Sequence, residues 1–93
     1  VTTRIPRNAT RVFYATETVT RPDRNGEPAR YAGREQKSTT FREARKFLDD
    51  LGVPGGVTVW SARTNLTNSY ADRHADGTWT AHDWLTGKTV TLD

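Results

Sequence analysis

Only one stretch of this chain has the periodicity of an amphipathic helix, and that limits what the rest can fold into. Between Thr39 and Gly52 the apolar residues Phe41, Ala44, Phe47, Leu48 and Leu51 recur along one face of a 3.6-residue period. Thr40 and Glu43 stand at capping-box spacing, so the hydroxyl can accept from the third helical amide while the carboxylate reaches back to the cap. Gly52 suits the left-handed position after the last turn, and Pro54 stops any continuation. Burying the four large side chains at about 1.5 to 3 kcal/mol each contributes roughly 6 to 12 kcal/mol before entropy is subtracted. Phe47 is expected at the centre of that face, with Phe47→Ala costing about 3 to 5 kcal/mol.

The remaining apolar residues alternate, as strands do. Arg11 to Thr20 is rich in β-branched and aromatic residues. Arg21 to Pro28 reads as a turn around Asn25-Gly26, and Ala29 to Lys37 as a weaker strand suited to a sheet edge. After the helix come Val57 to Thr64, a polar turn over Asn65 to Ser69, Tyr70 to His74, a two-residue reversal at Asp76-Gly77, Thr78 to His82, and Lys88 to Leu92. The expected fold class is α+β: one amphipathic helix packed on a mainly antiparallel sheet, in the order β-β-α-β-β-β-β. Residues 1–10 are expected to form a mobile basic arm and residues 11–93 a single domain.

Two acids break the helix pattern. Asp49 and Asp50 lie in the last turn, where the helix dipole disfavours anions. Ion pairs at i,i+4 from Arg45 to Asp49 and from Lys46 to Asp50 would offset part of that cost.

Charge is distributed unevenly. Residues 1–37 carry eight basic and four acidic side chains, whereas residues 53–93 carry three basic and four acidic ones. The basic set is Arg4, Arg7, Arg11, Arg21, Arg24, Arg30, Arg34 and Lys37, and these are the candidate nucleic-acid-binding residues, placed along one sheet face with Tyr14 and Tyr31 nearby. Arg outnumbers Lys eleven to three, which suits forked contacts to phosphate. The same bias follows from codon usage in a high-GC genome, and an origin in a phage or other mobile element would fit it.

The layout of strand, turn, basic strand and then Thr40-x-x-Glu43-Ala44-x-x-Phe47-Leu48 resembles the arm-type DNA-binding modules at the start of tyrosine integrases, over residues 12–51. In that family a three-stranded sheet sits in the major groove, so the resemblance implies DNA contact through the first strands. The chain departs from the pattern at Ser38, where the family carries an aromatic residue. T-x-x-E-A is also what any capped amphipathic helix looks like.

Other chemistries find less support. With no Cys, disulfides and thiolate chemistry are excluded. A two-residue loop at Asp76-Gly77 would send His74 and His82 to opposite faces, so no joint metal site is expected. Asp72-x-His74-x-Asp76-Gly77 with Asp83 resembles the calcium loop of EF-hand proteins, but His74 replaces an oxygen ligand, Asp83 replaces the longer Glu, and the flanks read as strands. Ser38, Ser61 and Ser69 lie in no nucleophile-elbow context, and the acids are scattered. No cofactor is expected. Trp60, Trp79 and Trp84 are read as core or core-rim residues.

No run approaches the roughly 18 apolar residues of a membrane span, and Val1 to Thr10 lacks a signal-peptide core. A cytoplasmic location without membrane association is expected. The functional expectation is a small non-enzymatic nucleic-acid-binding or accessory protein using the basic arm and first strands. The alternative is a protein-protein interaction module or inhibitor acting through an exposed sheet edge or a surface aromatic.

Overall fold

The computed structural model describes residues 5, 8–83 and 85–93. Among these, six strands and one helix follow in the order β1 (Arg11–Pro22), β2 (Pro28–Ser38), α1 (Phe41–Leu51), β3 (Gly55–Ser61), β4 (Leu66–Arg73), β5 (Trp79–Asp83) and β6 (Lys88–Leu92). The strands form a single sheet of order β2-β1-β3-β4-β5-β6 in which every neighbouring pair is antiparallel. The fold class is therefore the α+β arrangement that the sequence predicts, with the weaker strand β2 at one edge. No helix among the described residues is long and apolar enough to cross a membrane.

The helix begins and ends as its sequence dictates. Thr40 is extended, and its hydroxyl accepts from the Glu43 amide at 3.2 Å. Gly52 takes φ 67°, and its amide donates to the Leu48 and Asp49 carbonyls. Ala44 and Leu48 are fully buried against the sheet, whereas Phe41 and Phe47 are half-buried at the margin of the core. The deepest helical side chain is thus Leu48 rather than Phe47. Leu48 lies over Gly55, whose position leaves no room for a side chain: a Cβ there would fall 2.5 Å from the Thr16 carbonyl oxygen and 2.9 Å from Leu48 Cδ2. This close approach lets the helix settle onto the middle of the sheet.

Phe13, Ala15, Val57, Ala71 and Trp79 supply the sheet side of the core. Trp79 is 1% exposed and stands edge-on to Phe41 at 5.7 Å between ring centroids. Phe13, Phe41 and Tyr70 extend this cluster toward the N-terminal end of the helix. Tyr70 joins it because the register shifts between Val57 and Thr58, leaving Tyr70 as the extra residue of a bulge in β4. The other face of the sheet carries Tyr14, Thr16, Thr18, Thr58 and Trp60 and has no helix over it.

Asp49 resolves the anomaly at the helix end. Its Oδ1 accepts from the indole Nε1–H of Trp79 at 2.9 Å and from Arg73 Nε at 2.9 Å, while Arg73 also donates to the Val53 carbonyl at 3.0 Å. Arg45 and Lys46 pair with Asp49 and Asp50 as expected, although the Arg45 pair is loose at 3.8 Å. Burial raises the Asp49 carboxyl, but the hydrogen bonds from Trp79 and Arg73 and the charges of Arg73 and Arg45 outweigh it and hold the group below the usual carboxylate range. Asp49 ties the helix C-terminus to β4 and β5.

Three turns differ from the sequence reading, the first because Arg21, Pro22 and Pro28, read as turn, belong to β1 and β2. The β3–β4 reversal falls at Ala62 to Asn65, where Asn65 takes φ 53° and its amide donates to the Ser61 carbonyl. Leu66 to Ser69, read as a polar turn, is strand instead. Its polar residues are compatible with pairing because they are exposed to water on the sheet surface. The β4–β5 loop holds three residues, Ala75, Asp76 and Gly77, closed by a bond from the His74 amide to the Thr78 carbonyl. Relative to the expected two-residue reversal the added residue is Ala75, with Gly77 closing the loop at φ 90°.

Candidate nucleic-acid interface

Strand lengths create the most distinctive feature of the surface. β1 pairs with β3 from Arg11 to Glu17, and the Thr18 amide donates to the Pro54 carbonyl at 2.9 Å. Beyond that point, among the described residues, β1 pairs with β2 alone, through Val19↔Tyr31, Thr20↔Arg30, Arg21↔Ala29 and Pro22↔Pro28. The end of the hairpin therefore projects past the neighbouring strand as a two-stranded ribbon. Its paired part extends about 13 Å before the turn.

The turn is built to be short and stiff. The Asp23 amide donates to the Glu27 carbonyl, and Gly26 takes φ 80°. Asp23 Oδ1 accepts from the amides of Asn25 and Glu27 at 2.8 and 2.9 Å, so this carboxylate faces its own loop. Prolines bracket the pairing at Pro22↔Pro28.

Three of the eight expected cations sit on this ribbon. The Arg21 guanidinium lies 6.0 Å from the Tyr31 ring centroid, on the face that continues the helix side of the sheet. Arg30 stands opposite Thr20 on the other face, and Arg24 occupies the turn. Arg34 anchors the root: its Nε and Nη2 grip the two oxygens of Glu17 at 3.0 and 3.2 Å, and its amide also donates to that carboxylate. These hydrogen bonds from Arg34 hold the Glu17 carboxyl below its usual range. The β-bulge between Thr16 and Thr18 sets up this grip, because Gly33 and Arg34 together face Glu17.

The other expected cations are elsewhere. Arg11 lies about 34 Å along β1 from Arg21, with its guanidinium 5.0 Å from the Phe13 ring centroid and 5.8 Å from that of Tyr70. Lys37 stands 5.7 Å over Tyr14 on the open face near the same end. Arg4 and Arg7, with most of the expected N-terminal arm, lie outside the described residues, as does Trp84. The cations are thus not aligned on one face. They divide into a ribbon group and a distant group, with Arg21 and Arg30 on opposite faces because strand alternation separates an odd from an even position on paired strands.

A cleft of about 460 Å³ opens beside the ribbon, where β3 begins late. Thr18, Thr20 and Arg30 form one wall, His74 and Asp72 the other, with Pro54 and Gly55 between them. Sequence reasoning missed this cleft. Its signal was the mismatch between the long first strand and the Pro54-Gly55-Gly56 start of the third.

The histidines and acids of the calcium-loop pattern take other roles. With three loop residues the register places Ala71 opposite Ala81 and Arg73 opposite Trp79, so His74 and His82 share a face instead of opposing each other. They are separated along the strands, and His74 Nε2 lies 2.8 Å from Thr80 Oγ1. Asp76 accepts from the Thr78 hydroxyl and amide, and Asp83 from the Leu85 amide. Among the described residues no cluster of three potential metal ligands forms. Trp60 packs beside buried Val12 and donates its indole N–H to Asn65 Oδ1 at 3.1 Å. No family model, curated protein or solved structure matches the chain.

Proposed function

We propose that this protein binds nucleic acid without catalysis, using the projecting β1–β2 ribbon as its contact element and duplex DNA as its preferred ligand. The observation that carries the reading is the ribbon: strands that pair only with each other beyond Thr18, bearing Arg21, Arg24 and Arg30. A two-stranded antiparallel ribbon fits a DNA major groove about 12 Å wide. Long arginine side chains on either face can reach past the ribbon edges to the phosphates that flank the groove. Two of the nearby acids are engaged: Asp23 is turned into its loop and Glu17 is gripped by Arg34, while Glu27 in the turn and Asp72 across the cleft stay beside the ribbon. Engaging those two carboxylates lowers the repulsion that a phosphate backbone would meet at the ribbon.

The test is a fluorescence-anisotropy titration of duplex DNA, single-stranded DNA and RNA at low salt. Wild type is expected to bind the duplex most tightly, and a combined Arg21→Glu, Arg24→Glu and Arg30→Glu variant to lose that binding while keeping its circular dichroism spectrum. Undetectable wild-type binding, or a variant that binds equally well, overturns the reading.

A further inference from the structure

The two edges of the sheet are treated differently, and the difference points to a partner. β2 is a guarded edge, with Pro28 at its start, a bulge at Gly33 and Arg34, and the charges Arg30, Glu35 and Lys37 along it. β6 is short and starts with Lys88 but lacks the other devices. Its five residues, Lys88-Thr89-Val90-Thr91-Leu92, contain no proline, no bulge and no charge after Lys88, and one side is unpaired within the described sheet.

Burial also runs out at this edge. The cross-strand row Ala15, Val57, Ala71, Ala81, Val90 begins fully buried and ends with Val90 43% exposed. Leu92 continues the same apolar face from Trp79. The helix backbone lies over β1, β2 and β3 and reaches β4 and β5 through the Arg73 and Trp79 side chains, so among the described residues it does not extend over β6.

We propose that β6 pairs with β6 of a second copy of this chain, antiparallel about a two-fold axis through Thr91, joining two sheets into one. Three features of the strand favour a second copy over an unrelated partner. Valine and leucine alternate with threonine, so in this register Val90 of each copy lies against Leu92 of the other on the helix face, and Thr91 meets Thr91 on the open face. The strand begins with Lys88 and is followed by Asp93, so an antiparallel mate sets Asp93 of one copy opposite Thr89 of the other, one residue from Lys88 though on the other face, whereas a parallel mate would set like beside like. The interface is isologous and closes after two copies, as the commonest oligomers do.

The test uses position 91, which faces itself only in this register. Sedimentation equilibrium at concentrations on the order of 100 µM, suited to a small interface, is expected to give twice the 10.5 kDa chain mass. Thr91→Lys and Thr91→Glu chains, altered at an exposed side chain, are each expected to be folded monomers because like charges meet across the axis. Mixed in equal amounts, they are expected to recover the dimer. A monomeric wild type overturns the proposal, as do variants that dimerise like wild type or a mixture that stays monomeric. A Val90→Lys chain that remains folded and dimeric would also overturn it.

Discussion

Replacing Asp49 with alanine is expected to destabilise the domain far more than its exposed position on the helix suggests. The substitution removes the acceptor of two donors at once. The Trp79 indole N–H belongs to a ring that is 1% exposed, so water cannot readily replace the lost carboxylate. Arg73 keeps only its bond to the Val53 carbonyl and becomes a half-buried cation without its counter-ion. A buried donor left unsatisfied costs about 1 to 3 kcal/mol, and a charged hydrogen bond is worth about 1.5 to 3. Allowing for partial solvation of Arg73, the total is about 2 to 4 kcal/mol, against about 5 to 14 kcal/mol expected for a chain of this length. Urea unfolding followed by Trp fluorescence measures it directly, and with a slope of about 1 to 1.5 kcal/mol per molar the midpoint should fall by about 2 M. Asp50→Ala is the control, since Asp50 pairs only with Lys46 at the surface and should cost less than about 0.5 kcal/mol. If Asp49→Ala and Asp50→Ala shift the midpoint equally, the Asp49 link between helix and sheet does not hold the fold.

Further predictions come from the same core. Leu48→Ala is expected to cost about 3 to 5 kcal/mol and Phe47→Ala less, because Leu48 is fully buried and Phe47 lies at the margin; denaturant midpoints of the two variants compare them. Gly55→Ala is expected to destabilise by about 3 kcal/mol or more, since its Cβ would press on the Thr16 carbonyl and Leu48, and thermal unfolding would show a drop of many degrees. Acid should weaken the fold through Asp49 and Glu17. Both carboxyls are held below their usual range in the folded state, so their stabilisation is present above the unfolded values near pH 4 and is lost as pH falls through the folded ones. Asp49→Asn should therefore show a shallower loss of stability between about pH 5 and pH 2 than wild type.

The helix was legible because local signals agree with one another. Thr40, Glu43, Gly52 and the apolar stripe specify start, stop and buried face within fourteen residues, and the structure adopts all of them. Strand order at the β2 edge followed from its weak apolar content. Turn lengths were not legible from Asp76-Gly77 alone: Ala75 joins the loop, with Gly77 left-handed at its end, and the one-residue change moves His74 and His82 onto a common face. Leu66 to Ser69 was hidden for a different reason. An exposed strand gains little from apolar residues, so its sequence looks like a loop. The second role of Asp49 depends on Arg73 and Trp79, 24 and 30 residues away, and no local pattern encodes it.

The candidate interface was partly visible in the same way. Charge asymmetry singled out Arg21, Arg24 and Arg30, but their isolation on a projecting ribbon depends on where β3 begins, which is a property of the assembled sheet. The grouping of Arg11 with Phe13 and Tyr70, and of Lys37 with Tyr14, shows cations of the same sequence region serving aromatic contacts at the far end.

The salt dependence of duplex DNA binding tests the ribbon most directly. Each phosphate contact contributes about 0.9 to the slope of log affinity against log salt concentration. The account predicts that Arg21→Ala, Arg24→Ala and Arg30→Ala together lower the wild-type slope by about 2 to 3, whereas Arg63→Ala, in the β3–β4 turn at the opposite end of the sheet, leaves it unchanged. Equal slopes for the wild type and the triple variant, or a reduction by Arg63→Ala as large as that from the ribbon, would contradict it.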